Sequence, residues 1–158
     1  MCAEECAVGT GGISMTLTFD GTVLVPAADP KDGKRTAEAL TPHLDTDSRV
    51  VLVNVIEKGG GTIDKAPMEQ RKEYANEIFE EARKPLVDSP ATIESETLFG
   101  TDIVKTIFDA AGEHDADAVV FTARKGNRIA ELLTGDVARR LVKEGTIPAV
   151  ALPQVTTD

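Results

Sequence analysis

The chain has 158 residues, 41% of them apolar, enough for the core of one domain without help from disulfides or metals. Its 17 basic and 27 acidic residues leave a formal net charge of −10, a field that repels nucleic acid and anionic membrane surfaces and disfavours non-specific binding to either. No apolar run approaches the roughly 20 residues of a membrane span, and two cysteines, Cys2 and Cys6, cannot build a disulfide framework, so a cytoplasmic protein is expected.

Residues 1–20 show no sustained hydrophobic period. The opening MCAEECAVGTGG has neither a basic region nor a long apolar stretch and does not read as a secretory signal. Met15 is a plausible alternative start, and 1–20 is expected to be a mobile N-terminal extension. A single α/β domain is expected over 21–153, with 154–158 as a short tail.

From Thr22 onward two kinds of segment alternate. The β-branched run Thr22–Pro26 comes first, then a helical pattern over 33–44 with Ala37, Leu40 and Leu44 on one face. A second run, Arg49–Ile56, precedes a helix over 68–86 carried by Ala75, Ile78, Phe79, Ala82 and Leu86, with Pro67 suited to its first turn. Thr92–Leu98 alternates, Ile93, Ser95 and Thr97 against Glu94, Glu96 and Leu98, as an edge strand with one wet face does. Ile103, Val104, Ile107, Phe108 and Ala111 mark a helix over 101–113, and Ala118–Thr122 is again β-branched. Val137, Ala138, Leu141 and Val142 mark the last helix, 136–144, closed by Gly145, before the final run Pro148–Leu152.

Strand and helix alternate throughout, and the first, second and fourth strands are near-continuous apolar runs. Such runs are buried on both faces of a parallel sheet, so the expected fold is a three-layer, doubly wound α/β domain with a five-stranded, mostly parallel sheet. Ligands of such sheets sit beyond the carboxyl ends of the strands.

Most local motifs have ordinary readings. Gly9–Gly12 nearly spells a dinucleotide fingerprint, but no strand precedes it and no helix follows. His43 and His114 stand at helix ends, where an imidazole suits the dipole, and neither has a partner at metal-ligand spacing. Gly59-Gly60-Gly61 reads as a flexible loop or as a flap over a ligand. Phe121–Leu141 holds more chemistry: over 124–140, Arg124, Lys125, Arg128, Arg139 and Arg140 face only Glu131 and Asp136, a surplus of +3 inside an acidic protein. It reads either as helix arginines paired with acids elsewhere or as an anion site where loop N–H groups meet the positive end of the last helix.

In their order, Val23-Leu24-Val25-Pro26, Val51-Leu52-Val53-Asn54-Val55, Ala116-Asp117-Ala118-Val119-Val120, Leu132-Leu133-Thr134-Gly135-Asp136-Val137-Ala138 and Ile147-Pro148-Ala149-Val150 resemble the universal stress protein family over about 20–153. The resemblance implies an adenine-nucleotide α-hydrolase-like sheet of strand order 3-2-1-4-5. It also implies homodimers paired through the last strand, here Ala149–Leu152, and no defined catalytic reaction. Nucleotide-binding members carry G-x2-G-x9-G-[ST]. With Gly135 as anchor, the earlier glycine positions fall on Thr122 and Lys125 and the hydroxyl position on Asp136, so one position in four matches. Gly126 lies one place late, and Arg124 and Lys125 add positive charge beside it. The acid that follows the first strand falls on Ala28, with Asp29 one place late, and the main chain that receives adenine maps near Val53 and Val55.

An acid at 136 opposes phosphate, and side chains replace glycines where backbone must approach it. The expectation is therefore a non-enzymatic stress-response protein with weakened or lost ATP binding, a residual small-anion site, and no firm cofactor. The alternative keeps ATP or another adenine nucleotide through a shifted loop, with slow hydrolysis as an option.

Overall fold

We describe residues 17–57, 68–122 and 135–153 from a computed structural model. Along them run β1 (Thr22–Pro26), α1 (Pro30–Leu40), β2 (Arg49–Glu57), α2 (Met68–Arg83), β3 (Thr92–Gly100), α3 (Ile103–Glu113), β4 (Ala118–Thr122), α4 (Gly135–Glu144) and β5 (Ala149–Leu152). Short 3-10 turns at Thr41–His43 and Lys84–Leu86 prolong α1 and α2. Pro67 and Gly59–Gly61 lie outside the described residues.

The sheet order is β3-β2-β1-β4-β5, and every ladder is parallel, so the expected mostly parallel sheet is wholly so. Alternate residues of the central strands enter opposite cores. Val23, Val25, Val50 and Leu52 pack with Ala37, Leu40, Ile78 and Ala82 of α1 and α2. Leu24, Val51, Val53 and Val119 pack with Val104, Ile107 and Leu141 of α3 and α4. Both faces of β1 are thereby dry, which is why its sequence is continuously apolar.

β3 is an edge strand as expected, but neither of its faces is wholly wet. Ile93 packs toward the α1–α2 core and Leu98 toward the α3–α4 core. Glu94 and Glu96 lean onto Arg49 and His114, with carboxylate oxygens 2.7 Å from Arg49 Nε and 2.6 Å from His114 Nε2. A strand flanked by α2 on one face and α3 on the other can shelter part of each.

The helix ends show how local chemistry fixes the frame. Asp29 caps α1 ahead of Pro30, and Asp102 caps α3, accepting from the main-chain N–H groups of Val104 and Lys105. α3 ends with His114 as its C-cap. Asp115 follows in the left-handed region, φ 54°, with Asp115 N bonded to Gly112 O and Ala116 N to Ala111 O. Gly145 does follow α4, though not as a left-handed cap. What requires glycine there is space, since a Cβ would lie 2.6 Å from Phe108 Cζ and 3.0 Å from the Ile147 carbonyl oxygen.

Ahead of β1, Phe19 forms a parallel bridge with Leu44, and its N–H donates to His43 O at 2.8 Å. The His43 ring donates from Nδ1 to the Leu17 carbonyl at 2.6 Å, and Ser48 Oγ donates to the Phe19 carbonyl.

Candidate functional site

The site begins where β1 stops. The β1–β2 ladder ends at Pro26 opposite Val53, while β2 continues through Asn54, Val55 and Ile56 to Glu57. Just past the ladder, Ala27 N donates to Val53 O at 2.9 Å. Main-chain groups two residues apart face the same way, so Val55 offers its N–H and C=O on that same side, where β1 no longer runs.

The turn out of β1 is pinned by carboxylates. Asp29 Oδ1 accepts from Asp32 N at 2.7 Å, and Asp32 Oδ2 accepts from Ala28 N at 3.0 Å. Asp32 is 1% exposed, and its other oxygen lies 3.4 Å from Arg35 Nη1. On the far side, Asn54 Nδ2 donates to Ala27 O at 2.8 Å. Ala27 and Ala28 are thus held from both sides.

A cavity of about 390 Å³ opens at this point. Ala28 lines it from the turn, Asn54, Val55 and Ile56 from β2, and Gln70, Arg71 and Tyr74 from α2. Positions 70, 71 and 74 share one helical face, and Arg71 reaches β2 directly, Nη2 donating to Glu57 O at 3.2 Å.

The predicted site residues separate here. Ala28 and Val55 line the cavity. Asp29 serves as the α1 cap, and the Val53 carbonyl is taken by Ala27. Thr122, the last residue of β4, is wholly buried, and its hydroxyl oxygen lies 2.9 Å from that of Thr36 on α1. Gly135 opens α4 with Asp136 next in its first turn, while Arg124, Lys125 and Gly126 lie outside the described residues.

The surplus charge counted over 124–140 loses Arg140 to neighbouring acids. Its Nη2 donates to Asp102 Oδ2 at 3.0 Å and its Nε to Glu144 Oε2 at 2.8 Å. These bonds raise the guanidinium pKa further and hold both carboxyls below their ordinary range. Among the described residues, no group of three or more His, Cys, Asp or Glu could hold a metal ion, and no helix is long and apolar enough to cross a membrane.

Sequence reasoning missed Asp32, Asn54, Gln70, Arg71 and Tyr74. Asn54 did leave a trace: it is polar in the otherwise apolar alternate series Val50, Leu52, Asn54, Ile56, whose first two members pack into the α1–α2 core. The α2 residues left none, because the spacing of a helix does not say which strand end it overhangs.

The model of the universal stress protein family matches residues 21–153. The chain belongs to the universal stress protein family. A universal stress protein from Archaeoglobus fulgidus is 24% identical and superposes with a TM-score of 0.57, over 84% of this chain and 93% of that one. The Archaeoglobus fulgidus universal stress protein in complex with dAMP is 21% identical, TM-score 0.55, over 86% and 99% of the two chains. A universal stress family protein from Arabidopsis thaliana with AMP bound is 18% identical, TM-score 0.58, over 86% and 93%. At these identities the likeness is one of fold. No curated protein matches the chain by sequence.

Proposed function

We propose that this universal stress protein is a non-enzymatic binder of an adenine nucleoside monophosphate, and that it binds ATP weakly. The observation that carries the reading is the cavity past the end of β1, where among the described residues the Val55 main chain has no strand partner on the β1 side. Structural neighbours with AMP, dAMP or cAMP bound support the same ligand class. Against a triphosphate stands Asp136, at the position where nucleotide-binding relatives place a hydroxyl. One charge pair at ~5 Å costs about 0.8 kcal/mol in water and about 3 kcal/mol at an effective dielectric near 20, on the order of 4- to 200-fold in affinity. A monophosphate carries less charge than a triphosphate and meets less of this repulsion.

For catalysis the described cavity residues offer little. The buried carboxylate nearby, Asp32, lies behind the cavity lining, one oxygen accepting from Ala28 N and the other 3.4 Å from Arg35 Nη1. The same reading makes the protein a cytoplasmic homodimer paired through β5, a short apolar strand with β4 on one side and, among the described residues, an open edge on the other.

Isothermal titration at low salt with AMP, Mg-ATP and inorganic phosphate tests the reading. AMP is expected to bind more tightly than Mg-ATP, with phosphate weakest. Mg-ATP bound at micromolar affinity and at least as tightly as AMP would overturn it, in favour of a shifted loop that uses Gly126 and Gly135.

A further inference from the structure

The cavity wall holds a buried polar group that the described residues leave half satisfied. Asn54 is 8% exposed and lines the cavity from the α2 side of the sheet. Its amide has only one orientation. The Ala27 carbonyl can only accept, so the atom 2.8 Å away is the amide nitrogen. Oδ1 therefore points away from Ala27, and among the described residues no donor reaches it. A buried acceptor without a donor is costly, and its presence in a cavity wall points to a donor on the ligand.

We infer that Asn54 Oδ1 selects the base of the bound nucleotide, by accepting a hydrogen bond from the exocyclic amine of a 6-aminopurine. The inference rests on the nucleotide reading above and names the residue that would discriminate within it. The Val55 main chain cannot discriminate alone. It offers one donor and one acceptor, and adenine through N1 and N6 or hypoxanthine through O6 and N1 can satisfy both. A free side-chain amide could not discriminate either, since it can rotate to present oxygen or nitrogen. Ala27 removes that freedom. Held where adenine sits, a 6-oxopurine would bring its O6 against Oδ1, two acceptors with no hydrogen between them; shifted so that O6 meets the Val55 N–H, it would leave Oδ1 without the donor that the adenine amine supplies. Sites built around such a buried polar group reject the mismatched analogue far more strongly than apolar pockets reject a size change.

The test compares AMP with IMP, which differ only at the 6-position and its associated ring proton, by titration into the full chain. Wild type is expected to bind IMP about 10- to 100-fold more weakly than AMP. Asn54→Leu removes the acceptor and should bring that ratio close to one. Should the variant not fold, for want of its bond to Ala27, the wild-type ratio decides alone. AMP and IMP binding within about twofold of each other, or a ratio that persists in a folded Asn54→Leu, would overturn the Asn54 assignment and leave the nucleotide reading standing. Neither nucleotide binding would remove the site itself, and this assignment with it.

Discussion

Thr36 and Thr122 set their hydroxyl oxygens 2.9 Å apart where both side chains are wholly buried, tying α1 to the end of β4. The resemblance sets Thr122 where nucleotide-binding relatives are expected to carry a motif glycine, so restoring the motif there should cost stability. Thr122→Gly removes buried atoms, strands the Thr36 hydroxyl and loosens the end of a strand, for about 2–3 kcal/mol in all. Thr36→Val and Thr122→Val should each destabilise by about 1 kcal/mol, and the double variant by less than their sum. Urea unfolding of all four variants measures this, and strict additivity in the valine pair would mean that the hydroxyls contribute nothing to each other.

Arg140 should give the protein part of its acid sensitivity. Asp102 and Glu144 titrate below their ordinary values in the folded chain because Arg140 bonds to both. Their contribution is complete above the ordinary carboxylate range, about pH 4–4.5, and is lost as pH falls through their lowered values. Arg140→Gln should therefore lower Tm at neutral pH by an amount that shrinks toward zero on acidification. A Tm difference that stays constant down to about pH 2.5 would rule this out.

Asp115 occupies a left-handed position that glycine adopts without steric cost. Asp115→Gly is expected to stabilise by about 0.5–1 kcal/mol, less whatever the acid contributes beside Arg49. Asp115→Val should destabilise, because a β-branched side chain tolerates that backbone poorly. A thermal melt in which glycine and valine at 115 behave alike would show that the turn rearranges freely.

The open edge of β5 gives the homodimer its test. Val150 is half-buried in the single chain and would be covered by a second copy. Val150→Lys should sediment as a monomer where wild type sediments as a dimer, because a charge on that edge resists pairing. Wild type sedimenting as a monomer at tens of micromolar would end the idea.

Much of the frame was legible because it rests on local periodicity. Thr22–Pro26 and Ala118–Thr122 read as strands from their β-branched runs and have the observed boundaries. The apolar residues picked for the second helix, Ala75, Ile78, Phe79 and Ala82, are the ones its core face buries. Sequence reached less of the site. Ala28 and Val55 came from alignment to a motif, but the roles of Asp29, Val53 and Thr122 depend on hydrogen bonds to Asp32, Ala27 and Thr36. The Thr36–Thr122 bond spans 86 residues, and no window of sequence contains both partners. Gly145 was placed correctly after its helix, yet the reason for glycine there is the Phe108 ring, which a capping rule does not see.

The stretch of β2 beyond β1 has a consequence for how the gene can vary. Asn54 to Glu57 form a ledge whose two sides are set by the phase of the strand, not by the identity of most of its residues. Substitutions along Arg49–Val53 that stay apolar leave that phase alone. A single-residue insertion or deletion there would reverse it, sending the Asn54 amide to the α3 side and turning the Val55 main chain toward β3. The ledge therefore constrains length more tightly than composition, and drift in this strand should proceed by replacement, with changes of length confined to the connections on either side.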